Sequence, residues 1–218
     1  MIQLKNLSRE QIDEIGRAIG NSFYDHDYGE NEKGLAKYIN VREQMIKYMT
    51  VFVVAGVKSG TLYATSERGE GYVLLMGSNC EKMKISASLG MLFDLINALG
   101  GIRKSLEFLK IMQKGGAALD DKLKKEKKDY LKIVMLAVRK EYQGQGYMRK
   151  LMEFAYEKAD AHGVPCILDT DAQNKLDKYC HLGMQHVGTR KVAEDCYLYD
   201  LMRKGRKADL HFLSGYPF

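Results

Sequence analysis

The sequence predicts an α/β (α+β) fold: a mixed, mainly antiparallel central sheet flanked by helices, with a helical insertion ahead of the main buried strand. Three observations carry the prediction. Short β-rich runs separated by glycine turns fill residues 50–77, which reads as an antiparallel meander. From 132 to 170 there follow an apolar run, a two-glycine loop, an amphipathic helix and a second apolar run, the order of a parallel crossover unit. Two further strand-like runs, "QHVGTRKV" and "DCYLYDLM", close the chain as a hairpin.

The elements follow in order. Ile2, Gln3 and Leu4 make a short strand. Ser8 with Gln11 forms a capping box, and Ile12, Ile15, Ile19 and Phe23 form a helical stripe behind it. A second helix is expected over 32–48. "TVFVVAGV", "GTLYATSE" and "GYVLLMG" read as strands, with Lys58-Ser59-Gly60 and Arg68-Gly69-Glu70 as the hairpin turns between them. The character changes over about 84–129, where three helical segments are broken at Gly100-Gly101 and Gly115-Gly116. "KIVMLAV" (132–138) has the continuous apolar character of a strand buried on both faces. Met148, Leu151, Met152, Ala155 and Ala159 then recur at helical spacing, Gly163 supplies the stop, and "PCILDT" is a second buried strand. A short helix over 174–182 ends at Gly183. Residues 1–202 are expected to form one domain, with 203–218 an irregular tail.

The chain of 218 residues is long enough to bury a sizeable core, and 45% hydrophobic with 28% charged residues is ordinary globular composition. The longest apolar run, 51–57, is far too short to span a bilayer, and residues 1–20 lack the apolar core of a signal peptide. A cytoplasmic site without a membrane partner is expected. Cys80, Cys166, Cys180 and Cys196 are scattered and read as reduced thiols. His26 stands between Asp25 and Asp27, but neighbours at a helix end seldom converge on one ion, so no metal is assigned. The net charge of +6 suits a nucleic acid, an acidic membrane surface or a phosphorylated small molecule. Much of the excess lies in "KLKKEKK" (122–128), read as a solvated helix face, so nucleic acid is not expected as a partner.

The glycine loop carries the chemistry. In a crossover unit the ligand belongs at the carboxyl ends of the strands, where Gly144, Gln145, Gly146 and Tyr147 lie. Backbone N–H groups at a helix mouth lack intrahelical partners and face an anion together with the positive dipole end. The missing Cβ atoms let a phosphate come close, and Gln143, Arg139, Lys140 and Arg149 add donors and charge. A dinucleotide fingerprint fails at its third glycine, which is Arg149, and no Gly-Lys-Ser/Thr of a P-loop is present.

"MLAVRKEYQGQGYMRKLM" resembles the acetyl-CoA motif of the GNAT N-acetyltransferase superfamily, Gln/Arg-x-x-Gly-x-Gly/Ala, on Gln143, Gly146 and Met148, which replaces the last small residue. "ILDTDAQNKLDKYCHLGMQHVGTR" is similar to that family's Asn…Tyr-x-x-x-Gly-Phe segment, with Met184 in place of Phe. The two motifs cover about the second half of the chain in the family's order. The resemblance implies a GNAT-like fold and acetyl-CoA as co-substrate. It also implies a bulged strand at Leu136, Ala137 and Val138 that pairs with the pantetheine arm. Gln143, Gly144, Gln145, Gly146, Tyr147, Met148 and Arg149 would hold the pyrophosphate, and Asn174 would lie near the CoA arm. Tyr179 matches the tyrosine that protonates the departing thiolate.

An acceptor ammonium must lose a proton before it attacks. Asp169, at the end of a central strand, is the expected catalytic carboxylate. Asp171 is read as the cap of the following helix, and Glu67 and Glu70 in the meander turn are weaker alternatives, as is a water chain. The insertion should wall the acceptor site through the apolar side of "MLFDLINAL", with Met91, Phe93, Leu95 and Ile96. Inserts of this kind are similar to those of GNAT enzymes that acetylate antibiotics and other small amines, so a small amine is the expected acceptor. A protein or peptide acceptor, or a non-catalytic CoA- or nucleic-acid-binding module, is the alternative. Oligomeric state is not fixed by the sequence, which is compatible with a homodimer.

Overall fold

A computed structural model describes residues 1–30, 32–34 and 37–205. Its strands are β1 (Ile2–Gln3), β2 (Leu62–Ala64), β3 (Gly71–Gly77), β4 (Leu131–Val138), β5 (Cys166–Thr170), β6 (Gln185–Ala193) and β7 (Cys196–Arg203). They form one sheet in the order β1-β2-β3-β4-β5-β7-β6, in which β4 and β5 run parallel and the other neighbours antiparallel. The helices are α1 (Arg9–Tyr24), α2 (Arg42–Ser59), α3 (Ile85–Ala98), α4 (Ile102–Gln113), α5 (Leu119–Lys125), α6 (Tyr147–Ala161) and α7 (Gln173–His181). The mixed, mainly antiparallel sheet with a helical insertion is therefore the architecture observed.

α1 starts at the expected capping box: Ser8 Oγ accepts the Gln11 N–H, and Gln11 Oε1 accepts the Ser8 N–H. Its Gly16 and Gly20 lie one turn apart against α2. A Cβ on Gly16 would stand 2.0 Å from Thr50 Oγ1, and one on Gly20 2.5 Å from the Ile46 Cα. Only bare backbone lets the two helices approach this closely.

α2 corrects the sequence reading. "TVFVVAGV" is the second half of this helix, not a strand, and the helix expected over 32–48 is met by the stretch that starts at Arg42. Met45, Ile46, Met49, Val51, Val53, Ala55 and Gly56 are all buried, so apolar residues ring the helix. It packs on α1, α3 and the sheet, where a Cβ on Gly56 would meet Leu74 and Leu62 within 2.9 Å. Burial on several sides overrides the β-propensity of the valines. Gly60, with φ 71°, ends the helix in the left-handed conformation, so Lys58-Ser59-Gly60 is a helix stop and not a hairpin turn.

Two cores flank the sheet. One joins Val73, Leu75, Ile133 and Leu168 to Leu151, Met152 and Ala155 of α6. The other joins Leu62, Leu74, Met135 and Ala137 to Ile15 and Ile19 of α1 and Met49 and Val53 of α2. The insertion wraps the second side. α3 packs on α2, and Phe108 of α4 meets Tyr48 and Tyr38 edge to face. Leu119 and Leu123 of α5 pack with Tyr130, Ile167 and Met202. Arg203, expected in the tail, completes β7, and 206–218 lie outside the described residues.

Candidate active site

β4 and β5 pair only at their N-terminal ends, Leu131 with Cys166 and Lys132 with Ile167. Beyond that point β5 follows β7 through Thr170, while β4 stays with β3. The two strands diverge, and the β4 edge facing β5 has no ladder from Ile133 to Val138. A bulge lies in the same stretch. Leu74 pairs with Met135 and Leu75 with Ile133, which leaves Val134 as the extra residue. Leu131 and Ile133 accordingly face the α6 core, whereas Met135 and Ala137 face α1 and α2. The bulge expected at Leu136, Ala137 and Val138 thus sits earlier, because those three pair regularly with Val73, Tyr72 and Gly71. Nor is β4 buried on both faces: Lys132, Val134, Leu136 and Val138 are only half-buried, because they border the gap.

The gap is a cleft of about 960 Å³ that both sides of the sheet line. Phe23, Tyr48 and Phe52 face it from the α1–α2 side, and Met148, Tyr179 and Leu182 from the α6–α7 side. Met112 of α4 also lines it. Met91, Phe93, Leu95 and Ile96 do not, so the insertion walls the cleft through α4 and not through α3 as expected; α3 stands outside α2.

β4 runs into a 3-10 turn, Lys140–Tyr142, and then the glycine loop. Gly144 and Gly146 have φ of 77° and 82°, and a Cβ on either would meet nothing within 4 Å. Conformation, not crowding, requires glycine here, and the open side of the loop borders the cleft. Gly146 is the N-cap of α6 and offers no side-chain acceptor; the first bond of the helix runs from Lys150 N–H to Gly146 O. The N–H groups of Tyr147, Met148 and Arg149 thus lack intrahelical partners. Gln143 Nε2 donates to Val138 O at 3.2 Å and ties the loop to β4. Gln145 Nε2 instead donates to Glu141 O, and its side chain does not line the cleft. Met148 is half-buried against the α6 core and leaves the glycine face open.

Tyr179 is buried at the cleft wall, and its hydroxyl has no hydrogen-bond partner among the described residues. Burial, helped by the Asp171 charge, raises its pKa, so the phenol keeps its proton at neutral pH. Asp169 borders the cleft with both oxygens engaged: Oδ1 lies 2.7 Å from Lys132 Nζ and Oδ2 3.5 Å from Arg190. Lys132 also meets Asp120 at 3.1 Å, and Arg190 donates to buried Asp200 through both Nε and Nη2. Burial opposes the charge of Lys132, but Asp169 and Asp120 outweigh it and raise its pKa.

Asp171 is not the cap of α7, whose N-cap is Ala172. It accepts from Tyr28 Oη at 2.7 Å and Lys175 Nζ at 3.1 Å. The cap comes from far away: Glu32 Oε2 accepts the Gln173 N–H at 2.7 Å, while Glu32 Oε1 bonds the Tyr199 hydroxyl. Glu70 accepts from Thr65 and Ser66, which hold its pKa down to about 2, and neither it nor Glu67 lines the cleft.

Residues 111–182, from the end of α4 through α7, match the model of the Acetyltransferase (GNAT) family. Over that stretch, about a third of its length, the chain is similar to the GNAT acetyltransferases. Proteins of this family transfer acetyl groups from acetyl-CoA. An N-acetyltransferase from Staphylococcus aureus Mu50 superposes with a TM-score of 0.55 at 14% identity, covering 93% of this chain and 100% of that one. Arylalkylamine N-acetyltransferase 2 from Aedes aegypti gives 0.52 at 17% identity, covering 91% and 96%. Both show the fold. A nourseothricin acetyltransferase, 19% identical with a TM-score of 0.32, aligns over 34% of this chain and 49% of its own. The chain thus spans about half the length of that relative. No curated protein sequence matches this one significantly.

The acetyltransferase domain match begins after α1 and α2, and there the site holds a residue that the sequence did not reveal. His26 borders both the cleft and an adjoining cavity of about 670 Å³ beside Arg139 and Lys140. Its Nε2 lies 3.0 Å from Asn174 Oδ1, and Asn174 Nδ2 donates to Asp27 O at 2.7 Å. Asn174 therefore borders the adjoining cavity and holds the His26 loop; it does not line the cleft itself. Burial, then the Lys175 charge, holds the His26 pKa down to about 4. The flanking Asp25 and Asp27 do not point to this setting, because the partner of His26 is 148 residues away.

Proposed function

We propose that the protein transfers the acetyl group of acetyl-CoA to a primary amine of a small molecule, by direct attack within a ternary complex. The observation that carries this reading is the unpaired β4 edge from Ile133 to Val138, opening beside a glycine loop at an uncapped helix N-terminus. An extended pantetheine arm adds to such an edge as a strand would, along Leu136, Ala137 and Val138. Its pyrophosphate suits the bare backbone of Gly144 and Gly146 and the free N–H groups that follow. Arg149 and Lys178, both on the cleft, add positive charge.

The acceptor enters from the α1–α2 side, where Phe23, Tyr48, Phe52 and Met112 favour an amine on an apolar body. Its nitrogen attacks the thioester carbonyl carbon; the C–N bond forms and the C–S bond breaks. A backbone N–H of the open β4 edge polarises the carbonyl oxygen. His26, neutral at physiological pH, takes the ammonium proton, and Tyr179 gives one to the departing thiolate. Asp169, held between two cations, keeps the floor of the cleft in shape, and Asn174 acts through His26.

The test is thiol release from acetyl-CoA across a panel of arylalkylamines, polyamines, aminoglycosides, amino acids and peptides. The Aedes aegypti neighbour, an arylalkylamine N-acetyltransferase, makes the first class the place to begin. Release with peptides alone replaces the acceptor class. Absence of both release and CoA binding removes the reading.

A further inference from the structure

Helices α3 and α4 turn an apolar surface outward that the acetyltransferase chemistry does not use. Ile85, Leu89, Leu92 and Phe93 recur at helical spacing on α3, with Ile85 82% and Phe93 68% exposed. Ile102, Leu106 and Leu109 do the same on α4, with Ile102 66% exposed. The inward sides are accounted for: α3 packs on α2, and Phe108 of α4 packs on Tyr48 of α2. Both stripes are therefore left on the outer, solvent-facing sides of their helices. Seven exposed large apolar side chains on two adjoining helices exceed the scattered singles of an ordinary surface.

We propose that this surface docks the protein on an anionic lipid bilayer, lying in the interface without crossing it. The charge around the stripes selects this occupant. Residues 82–114 carry six basic side chains, Lys82, Lys84, Arg103, Lys104, Lys110 and Lys114, against Asp94 and Glu107 alone. α3 itself holds a single charged residue, Asp94, so its outer face can enter the headgroup region without dragging ammonium groups with it. Cations at its flanks meet anionic headgroups while leucine and phenylalanine reach the acyl boundary. The geometry excludes a span. Together the two helices have the length and apolar composition of a membrane segment, but they bend by 102°. Among the described residues no single helix is long and apolar enough to cross. This reverses the expectation of no membrane partner drawn from the sequence, which looked for one continuous apolar run and gave the apolar side of "MLFDLINAL" to the acceptor site.

The chain has no tryptophan, so Phe93→Trp introduces a unique fluorophore in the exposed stripe. Full-length protein is titrated with vesicles of phosphatidylcholine, with and without phosphatidylglycerol. The expected result is a blue shift, quenching by brominated acyl chains, and binding on the order of tenfold or more tighter to the anionic vesicles, weakening with salt. Leu89→Ser with Phe93→Ser, both at exposed positions, should abolish sedimentation with vesicles while circular dichroism and Tm stay unchanged. No binding to either vesicle overturns the proposal. So does binding that the double serine variant leaves intact, since another surface then carries it. A dimer in sedimentation equilibrium that Phe93→Glu dissociates also overturns it, because a second copy then covers the face.

Discussion

Asn174 fixes the tautomer of His26. The Asp27 carbonyl can only accept, so the Asn174 amide turns its Nδ2 there and presents Oδ1 to the imidazole, 3.0 Å from Nε2. Nε2 must then carry the hydrogen, and Nδ1 keeps the lone pair. An asparagine from α7 thereby sets the proton chemistry of a residue that follows α1.

His26→Gln keeps a donor toward Asn174 and removes the titrating nitrogen. If His26 is the base, kcat/KM falls by about 10²-fold or more. Asn174→Ala should give a smaller loss with a changed pH profile, since it releases the ring without deleting it. Steady-state kinetics across pH check both.

The low pKa of His26 also links stability to pH. Its value is about 4 when folded against 6.5 when free, so between those limits the unfolded chain binds more protons. Stability therefore falls as pH drops from about 6.5 to about 4. Glu70, lowered from 4.5 to about 2, adds a loss of the same sign at more acid pH. Denaturation at a series of pH values should show both limbs, and His26→Gln should flatten the first only.

CoA at a hundredfold excess over its Kd should add about 2.7 kcal/mol of stability, or roughly 5–10 °C in Tm. Gly146→Asp sets a carboxylate where the pyrophosphate belongs and should erase that shift. A folded mutant that keeps it would show that the loop is only a turn.

Tyr179→Phe keeps the ring in the core and removes the hydroxyl. Thiolate leaves tolerably well unaided, so the expected loss is about 10²-fold, in kcat and kcat/KM alike, with CoA affinity unchanged. Wild-type kcat in the variant would reduce Tyr179 to packing.

Lys132→Met strips Asp120 and Asp169 of their shared cation and should cost about 3 kcal/mol in urea denaturation. Asp169→Asn should lower Tm but leave kcat within a few-fold. A collapse of kcat without loss of stability would instead return Asp169 to the role of base.

The fold was legible wherever burial is one-sided or the backbone chemistry is local. The Ser8 capping box, the glycine mouth of α6 and the run of β4 all leave signatures within a few residues. α2 did not, because a helix apolar around its whole circumference has no stripe to detect, and its valines then read as a strand. Tyr179 and the glycine loop were found through motifs. His26, the Glu32 cap of α7 and the ion pairs of Asp169 were hidden, because each joins elements that meet only after folding.

Two register pairs hold β4 to β5, and no other neighbours in the sheet's centre are joined so briefly. The seven strands therefore behave as two plates, β1 to β4 and β5 to β7, meeting at a short seam. A ligand laid along the open edge of β4 mends that seam and couples the plates. Hydrogen exchange should accordingly report on substrate as a change in cooperativity. Without CoA the amides on either side of the seam should open as separate units, and with CoA bound they should slow together, β5 as well as β4. For this sheet, filling the cleft and completing the fold are one event.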